Sequence, residues 1–212
     1  MQGIQYSFYM KLNFRYDLDK DIENFIKSSK SKNDKKPTSI MEEYIEEYGE
    51  SFDETNLKTF ILNKTEDIDI DGKLRDIEDD WSKIEDEFIS ISQKIFDTSL
   101  NLEDVTVYLS LNSRCTYNID EKYFFVCTSG TNSSNHIIMH ELLHFYTWKA
   151  FGKKMLDNDI KESLTVLLNI EFKNLMGGEI DKGYPQHQEM RKKISTLWRE
   201  ELTVKEVVEQ LR

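Results

Sequence analysis

His140-Glu141-Leu142-Leu143-His144 sits inside the run from Ser134 to Phe151, where apolar residues recur at helical spacing. Ser133 or Ser134 serves as the N-cap of this predicted helix, and Gly152 is its stop. Four residues is just over one turn. Both imidazoles therefore leave the same face, about 6 Å apart along the axis, and can converge on one tetrahedral zinc ion. Glu141 lies next to the first histidine, where a carboxylate reaches a metal-activated water without being a ligand, the position a general base needs. The competing reading is a helix whose histidines are buried and hydrogen-bonded for structure. His136 extends the steps of four, but it stands about 12 Å from His144 along the axis, too far to share the ion. It reads as a polar residue at a strand–helix junction.

A catalytic zinc needs a third protein ligand and one open position. A third histidine in the continuation of the motif is excluded, because Thr147 and Ala150 stand where glycine and histidine would be required. The next predicted helix runs from Asp159 to about Asn174, capped by Asn158 or Asp159. Glu162 near its start is the favoured ligand, since Leu164, Leu167 and Leu168 turn that helix toward a core. Asp157 and Asp159 are the rivals, and Asp159 to Glu162 also fits a capping box in which Glu162 serves the helix terminus. The loop Gly183-Tyr184-Pro185-Gln186-His187-Gln188 offers Tyr184 or His187 as a donor to a developing oxyanion; an ordinary loop with an aromatic anchor fits it as well.

His140, Glu141 and His144 with Glu162 downstream resemble the gluzincin group of zinc metallopeptidases, which includes thermolysin-like enzymes and the small minigluzincins; the likeness spans about residues 122–172. It implies a zincin-like α+β fold, with a small mixed sheet, an active-site helix and a following ligand-bearing helix. An edge strand, here Lys122 to Thr128, would line the cleft and pair with an extended peptide. The resemblance further implies one zinc ion on His140, His144 and Glu162, hydrolysis of a peptide or protein substrate, and Glu141 as general base. Some gluzincins carry an aspartate four residues after the ligand glutamate to orient a histidine. Val166 stands there, so another partner must take that role.

Tyr6, Phe8, Met10, Leu12, Phe14 and Tyr16 alternate like a half-buried strand, and a short helix through Ile22, Phe25 and Ile26 follows. Ser28 to Pro37 reads as a solvated loop whose lysines are the one place for an anionic partner. Ile40 to about Asn63 is irregularly helical, and Leu74, Ile77, Trp81, Ile84, Phe88, Ile91 and Ile95 make one face of a long helix. Val105–Leu111 and Lys122–Cys127 read as strands joined by a hairpin-type link over Asn112 to Glu121, and Gln188–Trp198 and Val204–Leu211 as a helical tail. The sum is one α+β domain, in which a strand-and-helix region, residues 1–100, packs on a catalytic region, residues 101–212.

Forty acidic residues against 28 basic ones leave a net charge of -12, which opposes a nucleic-acid footprint and favours basic or neutral peptides as substrates. The start, Met1 to Tyr6, lacks the basic and apolar regions of a signal peptide, and no stretch is long and apolar enough for a membrane span. Cys115 and Cys127 are too few for a disulfide framework and read as reduced thiols in a cytoplasmic protein. Asp67-Ile68-Asp69-Ile70-Asp71-Gly72 with Glu78 at the twelfth place fits a calcium-loop formula, although Arg75 at the ninth place opposes it. Two other functions therefore stay open: a zincin-fold protein that binds metal or peptide without hydrolysis, and a calcium-binding interaction module using Asp67 to Glu78.

Overall fold

The computed structural model describes residues 11–30, 37–128, 132–152, 157–199 and 202–212. Along them run strand β1 (Asn13–Tyr16), helices α1 (Leu18–Ser29), α2 (Ser39–Tyr48), α3 (Glu54–Thr65), α4 (Ile70–Ser82) and α5 (Glu85–Phe96), and strands β2 (Thr106–Ser110), β3 (Tyr117–Asn118) and β4 (Tyr123–Cys127). Helices α6 (Ser134–Phe151), α7 (Asn158–Leu164), α8 (Gln188–Arg199) and α9 (Val204–Leu211) follow. The class is α+β, with a small mixed sheet. The strand expected over Tyr6, Phe8 and Met10 lies outside the described residues, as does most of the lysine-rich loop.

The sheet order is β1-β2-β4-β3, with β1, β2 and β4 parallel and β3 antiparallel to β4. This corrects two expectations. The link from β2 to β4 is not a hairpin, because the chain first lays down β3 and only then turns back. Nor is β4 the edge: it lies between β2 and β3. All five residues of β4 are buried, and the continuous apolar run Tyr123-Phe124-Phe125-Val126-Cys127 is what a strand covered on both faces requires. The turn-forming residues before it belong to the β3–β4 reversal instead, where Asn118 Oδ1 accepts from the N–H groups of Asp120 and Glu121.

The face predicted for one long helix belongs to two. The helix stops at Ser82 and restarts at Glu85, where the Glu85 carboxylate accepts from the Trp81 indole at 2.8 Å and from the Leu12 backbone at 3.5 Å. A break of two residues leaves the apolar period intact, because Ile77, Trp81, Phe88 and Phe96 all enter the same core. That core also takes in β2, β4, α6 and the helices after it. A second, smaller cluster holds Ile22, Phe25, Tyr44, Leu57, Phe60 and Ile61 from α1, α2 and α3. Asp21 ties it to the sheet, accepting from the Ser110 hydroxyl and from the Leu111 N–H at 3.2 Å.

The calcium loop does not exist as a loop. Asp69 is the N-cap of α4, accepting from Gly72 N at 2.8 Å, and from Ile70 onward the backbone is helical. Asp71 and Glu78 then stand two turns apart, about 10.5 Å along the axis, instead of converging on a point. Helix α6 also differs from the amphipathic segment expected. It is apolar nearly all round, with Ile138, Met139, Leu142, Leu143 and Tyr146 each at most 1% exposed, as befits a central helix. Its ends match the reading: Ser133 accepts from His136 N at 3.2 Å, and Gly152, at φ +78°, closes the last turn onto Trp148 O. Among the described residues no helix is long and apolar enough to cross a membrane.

Candidate metal centre

Helix α6 is buried on nearly every side, so its polar residues at 140, 141 and 144 are forced to find partners or a ligand. Helix α7 supplies the first. Asp157, not Asn158 or Asp159, is its N-cap, accepting from Asp159 N at 3.1 Å. Helix α7 is one short stretch, giving way to a 3-10 turn over Thr165–Asn169 where a helix to about Asn174 was expected. With Asp157 capping and Asp159 turned to His187 at 3.1 Å, neither rival carboxylate faces the α6 histidines. Glu162 does: its Oε2 lies 3.6 Å from His144 Nε2. The capping-box role for Glu162 is absent.

The geometry can be tested against a tetrahedral ion. Two ligand atoms each about 2.1 Å from zinc stand about 3.4 Å apart, close to the His144–Glu162 separation. One ligand atom from each of His140, His144 and Glu162 falls within 4.8 Å of the others. His136, His140 and Asp181 form a second such group, but there Asp181 Oδ2 is 2.7 Å from His140 Nδ1. That is a hydrogen-bond length, too short for two ligands of one ion. Asp181 is therefore the partner that orients His140 and not a fellow ligand. A carboxylate only accepts, so His140 Nδ1 carries a proton toward Asp181, and Nε2 is the nitrogen left to face a metal.

Asp181 is itself fixed from several directions. Its Oδ1 takes the Gly183 N–H at 2.9 Å and the Arg191 guanidinium at 3.0 Å. Its backbone pairs with the Asn169 side chain through two 2.8 Å bonds, and Arg191 also reaches its carbonyl at 2.6 Å. His136, at the start of α6, gives Nδ1–H to Glu179 at 2.9 Å and points Nε2 at Asp181, 3.7 Å away. Burial opposes the Asp181 charge, but the nearby His136 imidazole, the hydrogen bond from His140 and the Arg191 charge outweigh it and hold the carboxyl well below its usual range. Lys161 holds Glu162 in a similar way. Almost wholly buried, it pairs with Glu162 Oε1 at 2.7 Å and with the Tyr117 hydroxyl. Glu162 is thus left with Oε2 toward the histidines.

Burial drives the His144 imidazole well below its ordinary value, with His140 and Lys161 adding to the effect, so it is neutral, the form that binds a metal. At His140 burial also pulls down, but the Asp181 bond and charge reverse the sign. Glu141 is pushed up to about 7, by burial first; His140 pulls it back and Glu162 repels. Its Oε2 has no hydrogen-bond partner. Tyr184 lines the same cleft as Glu141 and His140, its phenol raised to about 12 by burial and then by Glu162 and Glu141. His187 is set behind it, its ring edge-on to Tyr184 at 5.7 Å and its Nε2 committed to Asp159.

The sequence reading missed Asp181, Lys161 and Arg191. The only signal was indirect: a need for an orienting acid, and glycines at 177, 178 and 183 framing the loop that supplies it. No protein-family model, curated protein or solved structure matches the chain.

Proposed function

We propose that the chain is a zinc-dependent peptidase of the gluzincin type, working in the cytoplasm, where its two thiols, Cys115 and Cys127, stay reduced. One observation carries the reading: two histidines one turn apart and a carboxylate from the next helix, with His140 held by Asp181 and Glu162 by Lys161, in front of a cleft that Glu141, its Oε2 without a hydrogen-bond partner, also lines. His140, His144 and Glu162 hold the ion. When bound, zinc supplies Lewis acidity toward a substrate carbonyl and acidifies a water molecule. Glu141 takes that water's proton and returns it to the leaving amine, a task suited to a carboxyl balanced near neutrality. Tyr184, protonated throughout, donates to the carbonyl oxygen as charge builds on it. His187 supports the Tyr184 ring from behind instead of meeting the substrate.

The test pairs metal analysis with one substitution. The purified protein should carry one zinc per chain, and Glu141→Gln should keep that zinc while peptide hydrolysis falls by about 1,000-fold or more. Cleavage undiminished in Glu141→Gln, or a protein that takes up no zinc, would overturn the reading. Zinc bound without cleavage of a diverse peptide library would make it a metal-binding protein.

A further inference from the structure

A second pocket, with a volume of about 390 Å³, shares Ile180, Asp181 and Lys182 with the cleft and runs along helix α8. Gln188, Arg191, Lys192, Ser195, Thr196 and Arg199 line it at steps of three and four, which is one face of that helix. Among the described lining residues stand four cations, Lys182, Arg191, Lys192 and Arg199, against one carboxylate, Asp181. Arg191 is buried and matched to that carboxylate at 3.0 Å. The other three are exposed and form no ion pair among the described residues. The local sign is thus the reverse of the chain's, whose net charge is -12.

Size and spacing narrow the ligand. Pockets that hold small molecules run from about 300 to 1,000 Å³, which admits this one. Lys192 and Arg199 are seven residues apart, about 10.5 Å along the axis. A single carboxylate or phosphate meets one end of that span, whereas a row of linked phosphates gives each cation its own charged oxygens. Ile180, 64% exposed, adds an apolar surface on the shared wall, where a non-phosphate part of a ligand finds contact. The lysines of Ser28 to Pro37 are the anion-facing feature that the sequence displays; the α8 face emerges only when Lys182 is folded against it.

We infer that this pocket binds a small molecule carrying linked phosphates, either a nucleoside polyphosphate or a free inorganic polyphosphate. Lys182, Lys192 and Arg199 supply the charge, and Arg191, held by Asp181, forms the fixed wall behind them. Nothing in this site depends on the peptidase reading.

The experiment is calorimetry on the full chain stripped of metal, because linked phosphates chelate zinc themselves. ATP, tripolyphosphate and inorganic phosphate are titrated separately at about 0.15 M salt, where loose surface attraction is screened. ATP or tripolyphosphate should bind one per chain with a Kd below about 100 μM. Tighter binding of ATP names a nucleotide as the source; equal or tighter binding of tripolyphosphate names the phosphate chain. Lys192→Glu combined with Arg199→Glu should weaken binding about 10- to 100-fold. Lys58→Glu combined with Lys73→Glu, an equal change of net charge at exposed sites on α3 and α4, should change it less than about twofold. Should the first pair not fold, Lys192→Gln with Arg199→Gln replaces it. No binding of either linked phosphate, equal binding of inorganic phosphate, or equal losses in the two pairs of variants overturns the inference and leaves the peptidase reading standing.

Discussion

Asp181 and His140 are 41 residues apart, and one 2.7 Å contact between them decides which imidazole nitrogen can face a metal. Asp181→Asn presents the same shape without the charge. It should weaken zinc binding by about 10- to 100-fold, measured by competition with a chromogenic chelator, while the far-ultraviolet spectrum stays native. Single residues were legible in the sequence where their partners are local. The step from His140 to His144 is one turn of a helix, and a helix makes that neighbourhood whatever surrounds it. Glu162 was legible only as one of several carboxylates, because choosing among them depends on which way α7 faces. Asp181 and Lys161 were not legible at all. A buried lysine looks like any surface lysine until Glu162 and Tyr117 are seen around it.

At the level of elements, the loop that delivers Asp181 depends on close packing under Arg191. Gly183 adopts φ +58°, and a Cβ there would meet Arg191 side-chain atoms at 2.7 and 2.8 Å. Gly183→Ala should therefore cost about 1–3 kcal/mol in chemical denaturation and lower zinc affinity with it, because the loop and the His140 partner shift together. Strands show where pattern reading fails. β4 was found by its β-branched and aromatic residues, but its place was misjudged, since a strand's neighbours are set by where the chain returns and not by its own composition. Helices α4 and α5 show a complementary limit. Their shared apolar face was visible, and the break between them was not, because it is made by the Glu85 carboxylate meeting Trp81 and Leu12.

For the whole molecule, two clusters meet the sheet, and the stability of that junction depends on pH. Burial raises the Asp21 carboxyl to about 6, against the opposing hydrogen bonds from Ser110 and Leu111. Unfolded, an aspartate titrates near about 3.9, so the folded state holds its proton more tightly. That contribution is complete below about pH 4 and lost as pH rises through about 6. Relative to Asp21→Asn, the natural protein should lose about 2 kcal/mol between pH 4.5 and 7, read from urea midpoints at both pH values. Metal acts on the same scale. Because the ligands come from α6 and α7, zinc at about 100 times its Kd should stabilise the fold by about 2.7 kcal/mol, a thermal shift of several degrees that a chelator reverses. Calcium should produce none, since Asp67 to Glu78 is spent on the entry to α4 and on its turns. The α+β class, the central helix and the pair His140 and His144 follow from composition and spacing along the chain, because those interactions close within a turn or a strand. The strand order, the placing of Glu162 beside His144 and the Asp181 and Lys161 partners were settled by tertiary packing, which alone brings distant segments to hydrogen-bond distance and excludes the water that would otherwise satisfy them.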